Sequence, residues 1–162
     1  MSASPRAFSD YEAALKMAYE EEVSGEAFFE ALAGLHEGTL HQALTLMAQM
    51  ERVTARVLSP LFAKRLSEAC DIAALRRAGM QDAEALRATS AQDLLVHMRD
   101  DYPAYVTEFE WVVQMAPHED RPLAQVLVEH EVAIIEFARA ELAGDAHSLG
   151  FLKQFLTGWG DV

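Results

Sequence analysis

The chain has 162 residues, 51% of them apolar, with 13 Lys and Arg against 26 Asp and Glu and a formal net charge of -13. That length suits one domain with a sizeable core. The acidic balance argues against recognition of nucleic acid or an anionic membrane through a basic patch, and is compatible with solubility and with the gathering of cations.

One cysteine, Cys70, cannot close an internal disulfide, which fits a reducing compartment. Met1 to Pro5 show no basic segment leading into an apolar one, so no signal peptide is visible. No stretch reaches the roughly 18 uninterrupted apolar residues of a membrane span. The cytoplasm is the expected location.

Helix-favouring residues dominate and the alternation of a strand is missing. Residues 8–36 read as helix A, capped by Ser9 or Asp10, with Gly34 and Gly38 at its end. Residues 39–66 read as helix B, capped by Thr39, with a kink or break expected near Pro60. Residues 67–89 read as less regular, with a short helix over 71–78, then Gly79, then a second piece over 82–88. Ser90 can cap helix C, 91–116, which Pro103 should bend and Pro117 end. Asp120 can cap helix D, 121–143, with Pro122 in the first turn and Gly144 at the exit. Leu149 to Leu156 form an amphipathic turn or two in the tail. Four long helices with a crossover of roughly 20 residues between the second and third predict an all-α four-helix bundle over 1–162 with a short helical tail.

Wheels at about 100° per residue show which polar groups point inward. On helix A, Tyr11, Leu15, Ala18, Tyr19, Phe29 and Ala33 share a face that contains Glu22, with Glu26 beside it. Glu20 and Glu21 point elsewhere and read as solvated. Glu51 sits at the centre of the helix B stripe of Leu44, Met47, Ala48, Ala55 and Leu58. Helix C carries His97, Asp101 and Glu108 within its apolar face. Helix D carries His130 in its face and Glu131 at the edge. Val128, Val132 and Ile135 make helix D apolar on its other side too, which predicts a homodimer or the tail packed there.

A lone buried carboxylate costs several kcal/mol unless it is paired, protonated or bound to a cation. Repeating that cost on every helix calls for a common compensation, and a shared metal ion supplies it. Carboxylate oxygen with imidazole suits iron, manganese or zinc, as one ion or two. Glu22, Glu51, Glu108 and His130 are the leading ligands, with Glu26, Asp101, His97 and Glu131 behind them. For His97 and Asp101, four residues apart, a simple side-chain pair on the helix is the better reading.

The segments "YEEEVSGEAFFEALA" and "EHEVAIIEFARAEL" resemble the ferritin-like, rubrerythrin-like superfamily, over roughly residues 11–142 in helix order. The resemblance implies a ferritin-like bundle with irons in its core and redox chemistry with dioxygen or peroxide. It implies that Glu22 matches the single Glu of the first helix, Glu51 the Glu of the second, Glu108 that of the third, and His130 the His of the fourth. Family members carry Glu-x-x-His pairs on two helices. Here Thr54 stands where the first His is expected and Leu127 where the second Glu is expected, so six ligands fall to four. No Cys-x-x-Cys pair is present for a rubredoxin-type electron donor, and an electron-transfer partner is not identified. The alternative is a metal-free relative, a dimeric binding or scaffold bundle whose inward acids are protonated or hydrogen-bonded.

Overall fold

A computed structural model describes residues 6–160. Met1 to Pro5, on which the reading of signal-peptide absence falls, and the last two residues of the tail lie outside them. The described residues are all-helical, in seven segments: α1 Tyr11–Ala33, α2 Gly38–Arg65, α3 Ile72–Ala85, α4 Ala91–Asp101, α5 Pro103–Met115, α6 Arg121–Leu142 and α7 Gly150–Trp159. None of these helices is long and apolar enough to cross a membrane.

Helices A, B and D of the sequence correspond to α1, α2 and α6, each shortened or shifted at its ends. Asp10 caps α1, accepting from the Ala13 amide at 2.9 Å, and Ser90 caps α4 through the Asp93 amide at 3.1 Å. Helix B begins one residue before Thr39, and no side chain caps it. Pro60 does not end it, because α2 continues to Arg65. Helix C is two segments. Pro103 cannot donate to the preceding turn, so α5 restarts there with Pro103 in its first turn and Tyr102 at the elbow. Gly144, at a φ of +76°, ends α6 in the left-handed region that favours glycine.

The irregular stretch expected over 67–89 is largely one helix, α3, and Gly79 lies within it rather than breaking it. An added Cβ at Gly79 would stand 2.0 Å from the Ser24 carbonyl oxygen. The bare backbone therefore lets α3 lie directly on α1. Arg76 reinforces the contact, bonding Glu30 at 2.8 Å.

α1 pairs with α2, α2 packs on α6, and α6 packs on both α4 and α5. The circuit closes only lightly, between α5 and α1. Its interior holds Leu15, Leu32, Leu44, Met47, Met50, Leu58, Leu94, Met98, Leu127, Ile134 and Phe137, all fully buried. α7 lies across α2 and α6. Its end is pinned by Trp159, whose Nε1 donates to Glu129 at 2.8 Å, and by Arg56, which donates to the Gly160 carbonyl at 2.7 Å. The tail thus lies against α6, while Val132 and Phe151 stay exposed beside a groove between the two helices.

Asp120 does not cap α6 with its side chain. Its buried carboxylate accepts instead from Arg65 Nε at 2.9 Å and Lys64 Nζ at 3.2 Å, tying the end of α2 to the start of α6. Burial pushes the Asp120 pKa up, but the bonds and charges of Arg65 and Lys64 outweigh it and hold the pKa below its ordinary 3.8. A depressed folded pKa contributes stability above the unfolded value that is lost as pH falls through the folded one. Asp120→Asn should therefore cost about 2 kcal/mol near neutral pH. In urea denaturation series, the gap from wild type should shrink steadily below the ordinary aspartate pKa.

Candidate metal centre

Three helices bring one ligand each to a common point. Glu22 comes from the middle of α1, Glu51 from the middle of α2 and His130 from the middle of α6. All three are buried, at 2%, 5% and 2% exposure. His130 Nε2 stands 2.9 Å from Glu51 Oε1 and 3.9 Å from Glu22 Oε2. The three ligand atoms all lie within 4.8 Å of one another, a group that could hold a metal ion. Each lies on the apolar face the helical period assigned to it, since a residue at the centre of a core-facing stripe has nowhere else to point.

Two further observations make room for the cluster. Gly25 lies three residues after Glu22 on α1, and an added Cβ there would fall 2.7 Å from Glu51 Oε2 and 2.9 Å from Glu51 Cδ. The missing side chain is the space the Glu51 carboxylate fills. On the other side, the Phe155 ring of α7 lies 6.3 Å from the His130 ring, centroid to centroid, and buries it from the tail.

The electrostatics are those of a crowded, dry site. Burial raises the Glu22 pKa well above its ordinary 4.5, and the charges of Glu51 and Glu131 add to this against the opposing pull of His130. Burial works against the charged form of His130, yet the carboxylates of Glu22, Glu51 and Glu131 outweigh it and hold its pKa well above 6.5. Glu131, beside His130 on α6 and buried, is pushed up to about 8, first by burial. Among the described residues, Glu22 Oε2 and Glu131 Oε2 have no hydrogen-bond partner. Unmatched buried carboxylate oxygens are costly, and a bound proton or a cation relieves them.

The cluster opens on a cleft of about 160 Å³ between α1 and the α4–α5 elbow, where the helix circuit closes lightly. Tyr102, Tyr105, Phe28 and Phe109 wall it, with Glu21 and Glu131 among the polar lining. Burial raises the Tyr102 hydroxyl well above its ordinary 10, with the charges of Glu131 and Glu51 adding to it. Tyr102 thus keeps its proton and faces the site as a neutral group.

The other expected ligands lie elsewhere. Glu108 is buried but is claimed by Arg6, which donates through its backbone amide at 2.9 Å, through Nε at 3.0 Å and through Nη2 at 2.5 Å. Glu26 is half-buried and bonded instead to Arg52 of α2 at 2.6 Å, with Arg76 of α3 at 3.4 Å. His97 and Asp101 form the side-chain pair favoured from their spacing, at 2.6 Å. Thr54 and Leu127, at the two missing positions of the Glu-x-x-His pairs, are both fully buried. Arg6, Gly25, Glu21 and Tyr102 were not singled out from the sequence. Gly25 carried a readable signal, a glycine inside a long helix one turn from an inward acid. Arg6 carried none, because it precedes any helical period.

No family model matches the chain, and neither the curated proteins nor the solved structures contain a match to it.

The donor set could hold a metal ion. Two ligands of one ion at about 2.1 Å can stand at most about 4.2 Å apart, which the two distances to His130 satisfy, while Glu22 and Glu51 lie within 4.8 Å of each other. Gly25→Ala should displace the Glu51 carboxylate without unfolding the chain, because the clash is with the end of a flexible side chain. We expect its crystal structure to show the His130–Glu51 bond broken, and urea denaturation to show a loss of about 1–3 kcal/mol. An unchanged 2.9 Å bond would mean that Gly25 does not shape the site.

Proposed function

We propose that this protein binds one divalent transition-metal ion between Glu22, Glu51 and His130, as a carboxylate–histidine centre on the pattern of the ferritin-like bundles its sequence resembles. The convergence of the three buried ligand atoms supports this reading most directly, and the partnerless Glu22 Oε2 supports it further. Two carboxylates and one imidazole suit iron or manganese, with zinc as a third fit. Three protein ligands leave at least one coordination position to an exogenous molecule. Bound iron would supply one-electron chemistry with dioxygen or peroxide, the activity class the resemblance implies.

The protein's own groups have definite parts in this. His130 Nδ1 faces the Leu127 carbonyl at 3.4 Å, so that nitrogen keeps its hydrogen and Nε2 is the one that can bind an ion. Loading must then displace the hydrogen that Nε2 shares with Glu51, so uptake strengthens as pH rises. The aromatic walls limit water. Tyr102 and Tyr105 can donate to a molecule entering the cleft.

A second reading rests on the 2.9 Å His130–Glu51 bond, which occupies the nitrogen an ion would take. In that reading the pair compensates its own burial, Glu22 and Glu131 stay protonated, and the bundle is a metal-free binding or scaffold module. Metal analysis of protein purified without added metal, with titration under air, separates the two. The metal reading expects close to one ion per chain. It also expects Glu51→Gln and His130→Ala to weaken binding at least tenfold, about 1.4 kcal/mol, with helicity retained. Trace metal throughout, with Glu51→Leu more stable than wild type, would establish the metal-free bundle instead.

A further inference from the structure

The cleft that leads to the three ligands has a chemistry of its own. Its lining holds four glutamates and five aromatic rings, and no lysine or arginine among the described residues. The acids are not equivalent. Glu22 and Glu51 form the metal group with His130, and Glu21 at the rim is held by Arg6 Nη2 at 2.8 Å. Glu131 belongs to neither pairing. It lines the cleft from α6, is 7% exposed, and has an oxygen without a hydrogen-bond partner among the described residues. A carboxylate buried in that way calls for a counter-charge.

The rings decide what kind of counter-charge fits. Tyr102 and Tyr105, at the α4–α5 elbow, stand at 83° to each other with centroids 5.5 Å apart. On α1, Phe28 and Phe29 stand at 72° with centroids 5.0 Å apart. Both pairs line the cleft, so they form corners rather than a flat wall, and Phe109 adds a fifth ring. His97, perpendicular to Tyr102 at 5.5 Å, braces the first corner. An aromatic face attracts a cation through its quadrupole, most strongly when the cation is dehydrated, and cages of rings recognise methylated ammonium ions in this way. A hydrated metal ion keeps its water and gains little from such walls. The cleft measures about 160 Å³, and a cavity of roughly 150 Å³ admits benzene, so an ion the size of tetramethylammonium matches it.

We propose that this cleft is a binding site for a small methylated ammonium ion, held between the ring pairs Tyr102–Tyr105 and Phe28–Phe29 with Glu131 as its counter-charge. This goes beyond the metal reading and uses none of the three metal ligands, so the two stand or fall separately. Glu131 selects a cation over a neutral molecule of the same shape. The rings select a methylated ion over a hydrated one such as sodium.

The test is isothermal titration calorimetry of the full chain, stripped of metal with a chelator, with tetramethylammonium chloride at constant ionic strength. The buffer is alkaline enough to ionise Glu131. One ion per chain should bind saturably, with sodium ion and tert-butanol, an uncharged molecule of similar shape, weaker by about tenfold or more. Glu131→Gln and Tyr105→Leu, each checked for helicity by circular dichroism, should each weaken binding by about tenfold or more. In two-dimensional NMR of wild type, the ligand should shift the amides of Gly25, Tyr102 and Tyr105, and not those of Val132 and Gly158 in the groove between α6 and α7. No saturable binding to wild type, equal binding of tert-butanol, or shifts confined to the α6–α7 groove overturns the proposal. Undiminished affinity in folded Glu131→Gln does so as well.

Discussion

The burial of Glu22 and Glu51 against His130 is the constraint that the rest of the structure serves. Two carboxylates brought into a dry interior repel each other, and each loses hydration worth several kcal/mol. The chain answers with a histidine whose proton is held by the acids around it, and with a raised pKa on Glu22. It leaves the answer incomplete, because oxygens of Glu22 and Glu131 remain unmatched among the described residues.

The fold supplies the geometry for this. α2 packs against both α1 and α6, and the ligands of all three helices lie near mid-length, so the three groups meet at one level of the bundle. Gly25 removes the side chain that would collide with Glu51. α7 closes the His130 side through Phe155. The opposite side stays open because α1 and α5 barely touch, and Arg6 spans that gap from Glu21 to Glu108. The proline at the α4–α5 junction sets Tyr102 over the opening. The sequence features that look like defects in a helix, a glycine and a proline, are therefore both at the site.

The helical character and most inward positions were legible in the sequence, for a simple reason. In Glu51 and His130 a polar residue interrupts an otherwise apolar stripe, and helical periodicity alone assigns it to the core. The same rule placed Glu108 inside, correctly as to burial, but periodicity carries no information about partners. Arg6 lies outside any helix, so its claim on Glu108 left no trace in the wheels. The continuity of α3 is hidden in the sequence because its contact with α1 is made by Gly79 and Ala83, small residues that form no apolar stripe. The helical period turns Glu21 toward solvent, and its side chain is 39% exposed, yet it borders the cleft where α1 and α5 barely touch. Asp120 looked like a cap from its position before α6, whereas Arg65 and Lys64, more than fifty residues earlier, claim its carboxylate.

The most direct measurement is anomalous diffraction at the manganese edge from crystals grown with manganous ion. A cation centre predicts a peak bonded to Glu22, Glu51 and His130 Nε2 at about 2.0–2.2 Å each, with the direct histidine–glutamate contact replaced. Crystals of metal-loaded solution that show no peak there, and keep Glu51 hydrogen-bonded to His130, would contradict it.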